Sequence, residues 1–290
     1  MCPRASRPRL ASRDMCNSAT MTKNGTEMTH PLFDHLCDVA ASVSRAGHVF
    51  LFLDFDGTLA PIVDDPGAAS MPPETRESLI NLAGRSRFSV AVISGRSLSD
   101  LQPRVGLEEL TYAGNHGLVI RGPGLSFVEP IAAERMGVLR GLSQDLERRL
   151  GDISGAEVEN KGLTASVHFR RALENRLEDI RRIVGVAVAS SGDLFHVTHG
   201  LQVLEIRPQV NWNKGAAARW IMESSERPDA LPVYLGDDTT DEDAFSAFPV
   251  GITVRVGLAV ETSAQYHLEY QEAVPEFLIW LAELDDSLLE

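Results

Sequence analysis

Two aspartates lie two positions apart directly after a short apolar run. The run Val49–Leu53 consists of strand-forming residues, and Asp54 and Asp56 follow it, ahead of a glycine and a threonine. Residues i and i+2 of an extended strand point to the same face, and at the carboxyl end of a buried parallel strand they face the crevice where open α/β sheets bind ligands. Because two uncompensated carboxylates there would cost several kcal/mol, the spacing predicts a bound cation or a catalytic role.

Three further polar segments follow apolar strands or open helices: Ser94-Gly95-Arg96, Lys214-Gly215 and Gly236-Asp-Asp-Thr-Thr-Asp241. Carboxylate oxygens suit a hard cation, and Mg²⁺ commonly binds one or two carboxylates together with substrate phosphate. A carboxylate can also attack phosphorus, while a lysine and a hydroxyl steady the phosphoryl oxygens. A second acid can protonate the leaving oxygen and then activate water. The residue types therefore indicate metal-assisted phosphoryl transfer.

Composition bounds the class of protein. The chain has 290 residues, 43% hydrophobic and 23% charged, enough for one large or two ordinary globular domains. Its formal net charge of −14 argues against nucleic acid or an anionic membrane as the main partner. An anionic substrate remains compatible, because local cations and a bound metal can reverse the field inside one cleft. No stretch approaches the about 18 apolar residues of a membrane span.

The amino-terminal segment contains all the cysteines and no predicted core element. Cys2, Cys16 and Cys37 lie outside the core pattern, which argues against a disulfide framework or a cysteine metal site. The basic stretch 1–13 is followed by no apolar signal-peptide region, so secretion is not expected. We expect residues 1–28 to form a disordered tail and the protein to be cytoplasmic.

Apolar strands and amphipathic helices alternate in two parts of the chain. This alternation is typical of βαβ units and a parallel sheet. The strands predicted for this sheet lie at 49–54, 88–93, 110–113, 231–235 and 252–256. The helices predicted around it lie at 30–45, 72–83, 98–102, 213–222 and 274–284.

The pattern changes between 119 and 208. A long amphipathic helix at 132–150 is followed by short segments with antiparallel character. The remaining predicted elements are a helix at 173–184 and strands at 158–161, 163–170, 186–189, 194–198 and 202–206. This block predicts an α+β domain at 119–208, inserted into a core domain formed by 29–118 and 209–290.

The four polar segments resemble, in type and order, the motifs of the haloacid dehalogenase (HAD) phosphatase superfamily. The resemblance covers roughly 49–118 and 206–257. It implies an α/β fold with a Rossmann-like HAD core around a parallel sheet and an inserted α+β cap domain of the C2 type. It also implies a Mg²⁺-dependent phosphatase that works through an aspartyl-phosphate intermediate.

The resemblance implies a role for individual residues. Asp54 would be the nucleophile, Asp56 the general acid and base with its backbone carbonyl on the metal, and Lys214 the holder of nucleophile and phosphate. The implied phosphate-binding residues are Asp54, Thr58, Ser94, Gly95 and Lys214. The implied metal ligands are Asp54, Asp56, Asp237, Asp238 and Asp241.

A narrower resemblance, to the trehalose-6-phosphate phosphatases, rests on longer segments. They are Asp54-Phe-Asp-Gly-Thr-Leu-Ala-Pro-Ile62, Gly114-Asn-His-Gly117, Glu159–Arg170, Leu204-Glu-Ile-Arg-Pro208 and Gly236–Phe245. The resemblance implies a cap that supplies sugar contacts, and buried polar groups left unpaired would reject the wrong sugar strongly. The implied substrate-binding residues are Arg96, His116, Lys161, Thr164, His168, Arg170 and Glu205.

Val119 departs from the narrower pattern, which commonly has an acid two positions after the Gly-x-His-Gly turn. This departure leaves open a HAD phosphatase for another sugar phosphate. A non-catalytic phosphosugar-binding domain is a further alternative, although the nucleophile, acid, lysine and metal acid are all present. In each case we expect a small sugar phosphate as the partner, with no nucleic acid or membrane, and a monomer.

Overall fold

The computed structural model describes residues 29–289 apart from 201, 228 and 260, so the tail predicted at 1–28 lies outside the described residues. The strands are β1 (His30–Pro31), β2 (Val49–Leu53), β3 (Phe88–Ile93), β4 (Thr111–Gly114), β5 (Val119–Gly122), β6 (Leu125–Val128), β7 (Glu157–Asn160), β8 (Ala165–His168), β9 (Phe195–Gly200), β10 (Val203–Pro208), β11 (Leu231–Gly236), β12 (Ile252–Val256) and β13 (Tyr266–Leu268). The helices are α1 (Leu36–Arg45), α2 (Pro73–Ala83), α3 (Leu98–Val105), α4 (Pro130–Leu150), α5 (Leu177–Ala189), α6 (Lys214–Glu223), α7 (Glu242–Ala247) and α8 (Ala273–Leu289).

A nine-stranded sheet forms the core, in the order β1-β13-β12-β11-β2-β3-β4-β5-β6. The pairings from β1 through β4 are parallel, and those of β5 and β6 are antiparallel. Strand β2 lies at the centre, with Leu53 opposite Leu235 on one side and Val92 on the other. This sheet confirms the predicted α/β core.

Strand β2 is buried on both faces, which explains its continuous apolar sequence. Val49, Leu51 and Leu53 face a hydrophobic cluster shared with α1, α2 and α8. Phe50 and Phe52 face the opposite cluster, shared with α6 and α7. Side chains alternate between the two faces of a strand, so both faces of β2 carry apolar residues. Helices pack on both faces and so fix the position of the strand's end.

Strands β5 and β6 belong to the core sheet, which corrects the boundary predicted at 118/119. Asn115 and His116 adopt left-handed backbone conformations, with φ of 51° and 58°, in the turn that follows β4. The turn reverses the chain, so that β5 pairs antiparallel with β4 and β6 with β5. The core sheet therefore continues to Val128, and the inserted part begins near α4.

The inserted part is a four-stranded antiparallel sheet in the order β7-β8-β10-β9. Helices α4 and α5 pack on it through a separate hydrophobic cluster that includes Leu146, Val167 and Val184. This arrangement agrees with the predicted α+β character, and we call it the cap.

The strand predicted at 186–189 is wrong, because these residues form the end of α5. Ile180, Val184, Ala187 and Val188 are buried at helical spacing, whereas Val186 is 51% exposed. The β-branched residues favour a strand locally, but packing of one helical face against the cap sheet decides the structure.

The sequence pattern missed the edge strands β1 and β13. They have two and three residues and pair in parallel, beyond β12. Strands this short carry too little alternation to be recognised. None of the described helices has both the length and the apolar character needed to cross a membrane.

Candidate active site

Lys214 joins two buried aspartates at the end of β2. Its Nζ donates to Oδ1 of Asp54 at 2.9 Å and to Oδ1 of Asp241 at 2.8 Å. Asn213 fixes the start of α6, because its side chain accepts from the backbone N–H of Ala216. Asp54 is 4% exposed and Lys214 2%. The predicted nucleophile and lysine are therefore in direct contact, away from bulk water.

Three aspartates share this centre with a single lysine. Burial raises the pKa of Asp54 well above its ordinary value, with Lys214 opposing the shift and Asp241 and Asp237 adding to it. Burial, followed by the charge of Asp241, raises the pKa of Asp237 to about 7. Burial opposes the charge of Lys214, but the two aspartates beside it hold its pKa above the ordinary value. When all three acids are ionised, one lysine does not compensate the two that are buried and the half-buried Asp237.

Asp54, Asp237 and Asp241 form an acidic cluster whose oxygens lie within 4.8 Å of one another. Gly57, with φ of 82°, faces this cluster, and a Cβ there would overlap the carboxylate of Asp237. No described residue donates a hydrogen bond to the backbone carbonyl of Asp56. The cluster thus offers carboxylate and carbonyl oxygens, the ligand set of a hard cation.

Asp241 has little capacity left for a metal. Besides Lys214, it accepts from the hydroxyl of Tyr234 at 2.8 Å and from the backbone N–H of Asp238 at 3.0 Å. The side chain of Asp238 is exposed and accepts from the backbone N–H of Thr239 at 2.7 Å, at the start of the turn. Of the predicted metal ligands, Asp54 and Asp237 are the carboxylates best placed to bind an ion.

Arg96 holds the side chain of Asp56. Its Nε and one terminal nitrogen donate to the two carboxylate oxygens at 2.7 and 2.6 Å. The other terminal nitrogen donates to Asp100 at 2.6 Å. Although burial opposes ionisation of Asp100, hydrogen bonds from Arg96 and Arg104 keep its pKa below the ordinary value. The structure therefore places Arg96, a predicted sugar contact, on the predicted general acid.

The predicted phosphate-binding residues surround the same centre. The hydroxyl of Thr58 is buried and donates to Asp237 at 3.5 Å. The hydroxyl of Ser94 is buried and accepts from the backbone N–H of Arg96 at 3.2 Å. Gly95 lies against the ring of His116, where a Cβ would approach a ring carbon to 2.7 Å. Only a residue without a side chain fits at this position.

His116, Lys161 and Glu205 meet between core and cap. Nε2 of His116 lies 2.7 Å from one oxygen of Glu205, and Nζ of Lys161 lies 3.4 Å from the other. Burial lowers the pKa of His116, and the charge and hydrogen bond of Glu205 oppose this shift. Burial opposes ionisation of Glu205, but His116 and Lys161 hold its pKa far below the ordinary value. Nδ1 of His116 is buried without a partner among the described residues. The structure brings these three residues together, and their role as substrate contacts stays a prediction.

Two other predicted sugar contacts tie the cap to the core. Thr164 is buried, and its hydroxyl donates to Oδ1 of Asn115 at 2.9 Å. Arg170 donates to the backbone carbonyls of Val63 and Asp64 at 3.2 and 3.1 Å, in the loop that follows Thr58. These contacts close the cap over the turn after β4 and over the loop after β2.

His168 lies apart from the centre. Its Nε2 lies 2.9 Å from a carboxylate oxygen of Glu159, and both side chains are on the two neighbouring strands β7 and β8. Val119, the departure from the expected pattern, packs half-buried in an apolar cluster with Leu118 and Leu163. The position of Val119 is thus part of a small core.

Three residues that contact the predicted site residues were not predicted from the sequence: Tyr234, Asp100 and Asn115. Tyr234 is fully buried within the apolar strand β11, and its sequence position gives no sign that its hydroxyl reaches Asp241. Asp100 looks like an ordinary first-turn acid of a helix. Asn115 does lie in a quoted motif, and its left-handed backbone is a signal that could have marked it.

Comparisons with known proteins agree on one family. The sequence model of the trehalose-phosphatase family matches residues 52–269. The chain is 39% identical over 236 residues to the trehalose-phosphate phosphatase of Mycobacterium marinum, covering 78% of this chain and 60% of that protein. It therefore spans less than two thirds of that relative's length.

Solved structures give the same likeness. The C-terminal domain of trehalose-6-phosphate phosphatase from C. albicans superposes with a TM-score of 0.75 at 25% identity, covering 89% of this chain and 99% of that one. A structure of Aspergillus fumigatus trehalose-6-phosphate phosphatase superposes with a TM-score of 0.61 at 29% identity, covering 88% and 99%.

Proposed function

The chain belongs to the trehalose-phosphatase family, and we propose that it is a phosphomonoesterase that hydrolyses trehalose 6-phosphate to trehalose and phosphate, a step of trehalose biosynthesis. The observation that carries this proposal is the buried contact between Asp54 and Lys214 beside Asp237, at the end of the central strand. A buried carboxylate with a fixed lysine and a neighbouring acidic oxygen set is suited to nucleophilic phosphoryl transfer.

Asp54 is the proposed nucleophile. Its carboxylate attacks phosphorus, the bond from phosphorus to the sugar oxygen breaks, and an aspartyl-phosphate forms. Burial favours the neutral acid, which cannot attack, and Lys214 at 2.9 Å opposes this by stabilising the ionised form. Water then attacks phosphorus and regenerates Asp54.

Asp56 is the proposed proton carrier. It donates a proton to the leaving sugar oxygen and afterwards removes one from the attacking water. Both of its oxygens accept hydrogen bonds from Arg96 in this structure, so Asp56 has to part from Arg96 before it can hold a proton. We propose that Arg96 orients Asp56 between these steps.

The residues present fit Mg²⁺. Asp54, Asp237 and the free carbonyl of Asp56 supply only oxygen atoms, as this hard cation requires. When bound, Mg²⁺ neutralises charge that develops on the phosphoryl group. Asp241 orients Lys214, and Asp238 shapes the turn that carries Asp237.

The cap residues supply the proposed sugar contacts. Lys161, Glu205 and His116 form a polar group that faces the core beside Gly95. Sugar hydroxyls both donate and accept hydrogen bonds, and a buried group of this kind selects a ligand that satisfies it. Thr58, Ser94 and Gly95 are the proposed contacts of the phosphoryl group.

A second candidate is a phosphatase for another sugar phosphate, favoured by the apolar surroundings of Val119. A non-catalytic phosphosugar-binding domain is disfavoured, because Asp54, Asp56 and Lys214 are all present and Lys214 contacts Asp54 directly. We also propose that the protein is a cytoplasmic monomer and that its partners include neither nucleic acid nor a membrane.

A substrate panel tests the choice of sugar. We expect a higher kcat/KM for trehalose 6-phosphate than for glucose 6-phosphate or sucrose 6-phosphate, and loss of turnover in EDTA with recovery in Mg²⁺. Better turnover of a monosaccharide phosphate would refute the trehalose assignment and leave the phosphatase assignment intact. The variant Asp54→Asn, purified in parallel, controls for contaminating phosphatases.

A further inference from the structure

The cap is fastened over one side of the acidic cluster formed by Asp54, Asp237 and Asp241. Nζ of Lys161 donates to the carbonyl of Gly95 at 3.4 Å, and Thr164 and Arg170 bond the turn after β4 and the loop after β2. Below these contacts Asp54 is 4% exposed and Asp241 is fully buried. An ion entering from the cap side would have to pass between surfaces that are already bonded to each other.

A cavity of about 430 Å³ reaches the same cluster from another side. It is lined entirely by core residues, with Gly57 and Asp237 at the cluster and no cap residue among them. Its rim includes Ile62, 62% exposed, and Leu258, 74% exposed. Gly257 leaves open space beside it, with no heavy atom within 4 Å of the position a Cβ would take. The cavity therefore connects Asp237 with solvent.

The charges of this cavity suit a cation. Asp237 and Glu272 contribute two carboxylates to its lining. Arg255 also lines it, but its terminal nitrogen donates to the carbonyl of Asp238 at 3.0 Å and lies 3.4 Å from a carboxylate oxygen of Glu242. Glu242 partly compensates the positive charge of Arg255, which leaves Asp237 and Glu272 as the acids that face the cavity.

The size of the cavity matches a hydrated ion. Mg²⁺ loses its water reluctantly and usually keeps several molecules when it binds. Six waters occupy about 180 Å³ at about 30 Å³ each. The cavity of about 430 Å³ has room for such an ion with its water shell. The gap between cap and core does not, because hydrogen bonds span it.

We propose that the divalent cation enters and leaves through the cavity between Ile62, Leu258 and Glu272, while the cap remains closed. The inference rests on the proposed function in one respect, that a cation binds at Asp54 and Asp237. It adds a route that is separate from the substrate cleft, so that metal exchange does not require the cap to open. Glu272 raises the local concentration of the cation at the entrance.

Stopped-flow binding of Tb³⁺ to the full chain tests this route. Tb³⁺ is a hard cation whose luminescence can be excited through Tyr234, which contacts Asp241. The variant Leu258→Trp adds bulk at the rim of the cavity, at an exposed side chain outside the hydrophobic core. The matched control is Val250→Trp, because the side chain of Val250 is 90% exposed and does not line the cavity. Because entry and exit use one path, we expect the plug to slow association and dissociation equally, by about tenfold, with an unchanged Kd.

A charge variant gives an independent measurement. Glu272→Gln should slow association at low salt, while Glu269→Gln, an exposed acid outside the lining, should leave the rate unchanged. Unchanged rates in Leu258→Trp, or an altered Kd with one rate unchanged, would overturn the proposed route. Failure of the unaltered protein to bind the ion at all would instead refute the metal site of the proposed function.

Discussion

Lys214 is the residue on which the buried charges depend. It is 2% exposed and bonds both Asp54 and Asp241, which are themselves buried. A buried ion pair is weak evidence for stability, but removing one partner strands the other charge in a medium that disfavours it. Lys214 thus has a structural role besides the proposed catalytic one.

We predict that Lys214→Met lowers the free energy of unfolding by about 3–5 kcal/mol, measured by urea denaturation of the metal-free protein. Arg219→Met, an exposed position on the same helix, is the control and should change it little. The double variant Lys214→Met/Asp241→Asn should recover part of the loss, since it removes one stranded carboxylate. A single variant as stable as the unaltered protein would show that the acids are neutral without the lysine.

His48 sets a pH dependence at the start of the central strand. Nε2 lies 2.9 Å from the hydroxyl of Ser89, and Arg227 donates to Nδ1. Burial, followed by the charges of Arg227 and Arg87, lowers the pKa of His48 to about 4 from 6.5. Between these two values the unfolded chain binds more protons than the folded one, so this residue's contribution to stability falls as pH falls.

We therefore predict that His48→Gln flattens the loss of unfolding free energy between about pH 6.5 and pH 4, the window bounded by the two pKa values. Urea denaturation at several pH values measures it. His199→Gln, an exposed position on β9, is the matched control and should keep the original slope. An unaltered slope in His48→Gln would mean that the imidazole is charged in the folded protein.

At the scale of elements, strands position the chemistry and turns position the specificity. Asp54 follows the central strand, Ser94 follows β3 and Asp237 follows β11. These three adjacent strands are parallel, so the three residues lie at the carboxyl-terminal end of the sheet. The cap meets this end through Asn115 and the loop after β2. The proposed catalytic residues thus belong to the core, and most of the proposed sugar contacts belong to the cap.

We predict that Thr164→Val raises the KM for trehalose 6-phosphate several-fold and leaves kcat/KM for p-nitrophenyl phosphate unchanged. The substitution keeps the side-chain shape but leaves Oδ1 of Asn115 without its donor, at a cost of about 1–3 kcal/mol. Asn115 also bonds the backbone of Lys161, so the loss reaches the sugar contacts.

Thr75→Val is the control for this prediction. Thr75 is fully buried in α2, and its hydroxyl has no partner among the described residues, so the same chemical change should leave both substrates unaffected. Equal effects of Thr164→Val on both substrates would indicate damage to the core instead of the cap contact.

The sequence predicted which end of the sheet carries the candidate site, because three of the four polar segments directly follow apolar strands. A polar residue at the end of an apolar strand is a local signal, and Asp54, Ser94 and Asp237 were found through it. Tyr234 was not predicted as a site residue, because its neighbours in the strand are apolar. The hydrogen bond from its hydroxyl to Asp241 is a tertiary contact that the sequence does not reveal. The end of α5 at 186–189 and the antiparallel pairing of β5 with β4 were not predicted either. Long-range packing decides both.

At the scale of the whole molecule, core and cap divide the task. The core holds the carboxylates proposed to react, and the cap carries Lys161 and Glu205. The proposed metal route opens on a third side, through residues of the core alone. In this proposal substrate and cation reach one centre from different directions, so that each route can be altered separately.

The most direct test of the central claim is turnover of trehalose 6-phosphate by Asp54→Asn, with circular dichroism to confirm the fold. The nucleophile is lost while the side-chain volume is kept, so we predict a fall in kcat of at least about 10³-fold, within the range for loss of a catalytic nucleophile. Asp65→Asn, an exposed aspartate in the loop after β2, should retain full activity. Release of phosphate by Asp54→Asn at the rate of the unaltered protein would contradict the aspartyl-phosphate mechanism.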